Sequence, residues 1–203
     1  MHPLRPPGRG ARGAPRPPAG LALALVALAS MALAGLAACD TGSPAVTPPV
    51  TPGTSADPRE VNIVARDYAY VPSVVDLVPG ETVVLHVING GLATHEAVVG
   101  SLADQLAWEA AEAPYAEPPP GPTPTVEEPA GWEGVRVVAG SGQRIDVTWT
   151  VPADAATASA GWYVGCHIPG HWEKGMVVPV RFVDEAGLPT GTPPPIPVGS
   201  AGG

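Results

Sequence analysis

Short runs of alternating apolar and polar residues recur between residues 59 and 184. Val61, Ile63 and Ala65 alternate with Asn62, Val64 and Arg66, the period of two expected of a half-buried strand. Val74 to Val78 is a second run, closed by the turn signal Pro79-Gly80. From Glu81 to Asn89, Val83, Leu85 and Val87 form one face and Val84, His86 and Ile88 the other. His86 therefore reads as a mid-strand surface or packing histidine. Asn89-Gly90-Gly91 breaks that strand, and Thr94 to Val99 resumes one. Val135–Ala139 and Gln143–Thr150 follow, the latter with Ile145, Val147 and Trp149 on one face. Trp162 and Val164 share phase with Cys166, and Val178, Val180 and Phe182 mark the last strand. Seven or eight short strands separated by turns predict an all-β, Greek-key β-sandwich over 59–184. Residues 101–134 interrupt it. Ser101–Ala113 reads as a short helix with Leu102, Leu106, Trp108 and Ala110 turned inward, and Glu117–Gly131 as irregular, acidic and Pro-rich. This segment reads as a solvated surface insertion.

Composition changes the picture at the two ends. Of 203 residues 28 are Pro and 25 Gly, too many chain breakers for one domain throughout. Residues 1–38 join a basic, Pro-rich start to an apolar run ending in Leu36-Ala37-Ala38-Cys39, the form of a bacterial lipoprotein signal with Cys39 as the lipidated residue. An uncleaved anchor is the alternative, and both readings place the domain outside the cytoplasm on a membrane. Residues 39–58 read as a semi-rigid Pro/Thr tether and 185–203 as a disordered tail. Arg5, Arg9, Arg12 and Arg16 all precede Cys39, which leaves six basic residues against nineteen acidic in the remainder. So acidic a domain excludes nucleic acid as a partner and suits a basic protein.

Candidate chemistry is concentrated in Cys166-His-Ile-Pro-Gly-His-Trp-Glu-Lys-Gly-Met176. It offers a thiol, an imidazole at His171 and a thioether at Met176, and His95 opens a strand far upstream. Two His, one Cys and a weak axial Met form the donor set of a blue-copper electron-transfer site. Zinc competes for Cys and His, although it seldom recruits a thioether. A Cys39–Cys166 disulfide is a further, weaker alternative for two cysteines in an exported chain. His167 follows Cys166 directly and would point the other way.

Residues 60–183 resemble a cupredoxin. The resemblance rests on Asn89-Gly90 followed by Thr94-His95-Glu96, on Gly161-Trp162-Tyr163 leading to Cys166, and on Cys-x4-His-x4-Met. That spacing is more similar to rusticyanin and sulfocyanin than to plastocyanin. The resemblance implies one type 1 copper ion held by His95, Cys166, His171 and Met176, with Glu96 as a tuning neighbour. It implies a monomeric electron carrier, not an enzyme, with redox proteins as donor and acceptor. It also implies an apolar docking patch beside His171, here Ile168, Pro169 and Trp172; inward packing of Trp172 is the alternative. A module that stores, delivers or senses copper is the second function class. A chain with only three Met is a poor match for open, exchangeable copper sites.

Overall fold

Alternation along the chain becomes two facing sheets. The computed structural model describes residues 49–115, 126–184 and 186–197; the signal-like segment, Cys39 and most of the acidic insert lie outside these. In the first sheet β1 (Arg59–Arg66) lies between β2 (Ala69–Val71) and β4 (Thr82–Asn89), and β7 (Arg144–Thr150) follows β4. The second sheet has the order β3 (Val75–Leu77), β9 (Val177–Phe182), β8 (Trp162–Gly165), β5 (His95–Ser101), β6 (Val135–Ala139). One parallel pair in each sheet, β1 with β4 and β3 with β9, is set among antiparallel pairs. The result is a Greek-key β-sandwich of nine strands among the described residues. The extra strand relative to the sequence expectation is the three-residue β2, too short for its alternation to register.

Val61, Ile63 and Ala65 from β1 and Val83, Leu85 and Val87 from β4 meet Ala97, Val99, Val164, Val178 and Val180 from the other sheet. Burying such side chains contributes about 1.5–3 kcal/mol each. On the outer face of the second sheet lies α1 (Leu102–Glu112). Its start is fixed by a capping box: the Ser101 hydroxyl accepts from the Asp104 amide at 3.2 Å, and Asp104 accepts from the Ser101 amide at 2.8 Å. The expected inward stripe needs correction, because Leu106 is 58% exposed and Ala110 is also exposed. Gln105, Trp108 and Glu112 face inward instead. The reason is polar: the Gln105 amide donates to the carbonyls of Val98 and Tyr163 at 3.1 and 3.2 Å, bonds no leucine could make.

Parts of both ends lie against the sandwich. The Thr82 amide donates to the Gly53 carbonyl at 3.1 Å, and the Val50 amide to Gly187 at 3.2 Å. The Thr190 amide donates to Phe182 at 3.2 Å, and the Tyr163 hydroxyl to Pro195 at 3.0 Å. Proline-rich composition there limits secondary structure without preventing docking. Among the described residues, no helix is long and apolar enough to cross a membrane.

Candidate metal centre

Three neighbouring strands of the second sheet end at one pole and bring the candidate ligands together. His95 is the first residue of β5, Cys166 directly follows β8, and Met176 directly precedes β9. The loop between Cys166 and Met176 is closed on itself: Cys166 N–H donates to the Met176 carbonyl at 3.1 Å, and Met176 N–H to His171 at 3.1 Å. His171 is thereby folded back over Cys166. His95, Cys166 and Met176 have no exposed surface, and His171 retains 7%.

The donor atoms converge. His95 Nδ1 lies 3.3 Å from His171 Nδ1, which lies 3.3 Å from Cys166 Sγ, and all three sit within 4.8 Å of one another. Two imidazole nitrogens bound about 2.0–2.1 Å from one ion, at trigonal to tetrahedral angles, stand about 3.3–3.6 Å apart. The side chains therefore already have the spacing that a small cation requires. Met176 and Ile168 are buried in the same apolar cluster as Cys166.

Asp67 fixes how His95 faces this point. Its Oδ1 lies 2.9 Å from His95 Nε2 and holds the proton there, leaving the Nδ1 lone pair directed inward. The carboxylate also accepts from the amides of Leu92 and Ala93, at 3.0 and 3.1 Å. These amides, Leu92 first, together with His95 hold the Asp67 carboxyl down at about 2. Only glycine fits at 91, since a Cβ there would stand 2.4 Å from Asp67 Oδ1. Asn89 pins the same loop by donating to the Ala93 and Ala139 carbonyls, each at 2.8 Å.

Burial tunes the other groups. It lowers His171 to about 4, helped by His95 and Lys174, so the ring is a neutral donor at neutral pH. It pushes the Cys166 thiol well up, with Glu96 adding to the effect. Glu96 accepts from the His167 amide at 2.6 Å and from Arg136 at 2.8 Å, and Arg136 reaches Glu112 at 2.7 Å. Burial raises Glu96 to about 8, and Glu112 reinforces it against the pull of Arg136. Arg136 also lies 5.0 Å over the Trp108 ring. A buried polar layer thus backs the pole from beneath α1, and Glu96 occupies the neighbouring position expected of it.

His167 points away from the centre as expected: its ring nitrogens lie 2.6 Å from Glu109 and 2.8 Å from Gln105. His86 is buried on the outer face of the first sheet, 2.8 Å from Asp146. The docking patch needs correction. Pro169 is exposed, but Ile168 and Trp172 are buried. Trp172 stacks on His167 with centroids 4.9 Å apart and packs on Tyr163 and Val177, so its apolar area serves the interior. Sequence reasoning missed Asp67 and Tyr68. They form the two-residue turn between β1 and β2, where Arg66 pairs with Ala69, and nothing in their spacing points to His95.

No protein-family model matches the chain, and no curated protein matches it. Similar solved structures include reduced auracyanin from the photosynthetic bacterium Roseiflexus castenholzii, at 19% identity and a TM-score of 0.48, covering 64% of this chain and 99% of that one. Auracyanin A, a "blue" copper protein from Chloroflexus aurantiacus, is 21% identical with a TM-score of 0.44, covering 63% of this chain and 98% of that one. An azurin from Methylomonas sp. strain J is 18% identical with a TM-score of 0.42, covering 62% and 98%. The solved structures to which this chain is similar are thus cupredoxins.

Proposed function

We propose that this chain is a type 1 copper protein that carries single electrons between redox proteins outside the cytoplasm. The observation that carries this reading is the buried convergence of Cys166 Sγ with the Nδ1 atoms of His95 and His171, with Met176 buried in the apolar cluster that also holds Cys166. Copper bound there supplies a one-electron Cu(II)/Cu(I) couple. A soft sulfur and a thioether favour Cu(I), and imidazoles suit both states, so the set is a compromise between them. Cys166 gives up its thiol proton when a metal binds, and its burial then keeps water from the sulfur. Asp67 and the Cys166–Met176 loop hold the imidazoles in place, so little rearrangement accompanies electron transfer. Three buried donors and a buried thioether leave no position for a substrate, and so enclosed a set argues against rapid copper exchange with a delivery partner.

The signal-like residues 1–38 support lipid attachment at Cys39, and the acidic balance supports a basic redox partner. Adding Cu(II) to the apoprotein is expected to produce an intense visible thiolate-to-copper band, and Cys166→Ser to abolish it. A colourless protein that prefers zinc would overturn the assignment. Cys39→Ser should move the protein from the membrane to the soluble fraction; unchanged fractionation would mean that Cys39 is not the anchor.

A further inference from the structure

The turn Asp67-Tyr68 comes from the sheet that supplies none of the candidate ligands, yet it touches both ligand-bearing loops. Asp67 ties it to the loop before His95 through Leu92, Ala93 and His95 itself. Tyr68 ties it to the Cys166–Met176 loop. Its ring stands edge-on to His171 at 4.9 Å and 79°, and to His95 at 6.1 Å and 89°. Lys174 Nζ lies 3.8 Å from the Tyr68 ring centroid. Tyr68 has φ of 67°, the left-handed region that bulky side chains avoid, and it is the sole non-glycine residue with positive φ among the described residues. A strained aromatic persists where surrounding structure holds it, and strain of this kind gathers at functional sites.

We propose that Tyr68 is the shutter of the metal centre, a positioning residue whose ring screens the two imidazoles from solvent and keeps small external ligands, anions or free imidazole, from reaching the ion. This rests on the metal-centre reading above. The left-handed turn aims the ring at the histidines, Asp67 fixes the turn, and Lys174 clasps the ring from the far loop. His171 is almost wholly covered although it lies in a loop at the pole; the Tyr68 ring stands against it, and Lys174 sits on the Tyr68 ring.

The test uses the apoprotein first, so that it does not depend on copper. Diethyl pyrocarbonate modification of His171, read by peptide mass spectrometry, should rise severalfold in Tyr68→Ala, stay near the native rate in Tyr68→Phe, and rise to a smaller extent in Lys174→Gln. His86, buried on the other sheet, is the internal control for folding. In the Cu(II) form, azide should change the visible spectrum of Tyr68→Ala and leave that of the native protein unaltered. Equal His171 modification in Tyr68→Ala and native protein overturns the proposal. If His86 modification rises together with that of His171 in Tyr68→Ala, the variant has unfolded. Lys174→Gln then decides, and an unchanged His171 rate in it overturns the proposal. A native protein without a visible band would remove the copper reading and leave the apoprotein result standing.

Discussion

The two sheets use their outer faces in opposite ways. In the four-stranded sheet that face is open to water, and its buried histidine, His86, contacts Asp146 and Glu60, whose side chains are 48% and 77% exposed. In the five-stranded sheet α1 closes the face, and its histidine, His167, is held by the buried Gln105 and the part-buried Glu109. Polar groups on the open face can be satisfied by solvent. On the covered face each needs an internal partner, because burying it alone costs about 1–3 kcal/mol, and more for a charge. The covered sheet is also the one that carries His95, Cys166 and Met176. The pole is thus built chiefly on a sheet packed on both sides, and the open sheet contributes the Asp67-Tyr68 turn and Asn89 at the end of β4.

Removing a charge partner should separate the sheets most sharply. Arg136→Met leaves Glu96 and Glu112 buried without their cation and should cost about 3–5 kcal/mol of unfolding free energy. The loss should grow with pH, as Glu96 ionises, and should be accompanied by a changed copper spectrum. Ile63→Ala, on the inner face of the open sheet, should cost about 2–5 kcal/mol through its cavity yet leave the spectrum unaltered. Urea titration with visible spectroscopy checks both. Equal spectral changes in the two variants would show that both sheets support the centre alike.

A smaller effect distinguishes the two carboxylates flanking His95. Asp67 falls from its ordinary 3.8 to about 2, so its contribution is present above 3.8 and is lost as pH falls through 2. Glu96 rises from 4.5 to about 8, so its contribution is complete below 4.5 and is lost as pH rises through 8. Apoprotein urea midpoints across pH should therefore decline at both ends. Asp67→Asn should flatten the acid limb and Glu96→Gln the alkaline limb; a limb that keeps its slope would detach it from that residue.

The strands were legible because one buried face imposes a period of two, and the gathering of His95, Cys166 and His171 because few donor sets combine a cysteine and imidazoles with a nearby thioether. What escaped depends on pairing rather than spacing. Tyr68 reaches His171 only because Arg66 meets Ala69, a contact written nowhere in the local sequence. Leu106 looked like core because apolar residues usually are, yet the cover over β5 and β8 had to satisfy carbonyls and so turned Gln105 inward. The loop around Trp172 suits a surface patch as well as inward packing, and stacking on His167 decides for the interior.

The bond from Thr82 to Gly53 fastens the first described residues beside the start of β4, and that from Val50 to Gly187 ties them to the segment after β9. His95, Cys166 and His171 gather at the opposite pole, alongside Asn89 at the end of that strand, about 23 Å away at about 3.3 Å per residue. The described chain therefore enters the sandwich at the pole remote from His95, Cys166 and His171, and a pull on residue 49 would load the hydrogen bonds at Val50 and Gly53 rather than the loops that hold the candidate ligands.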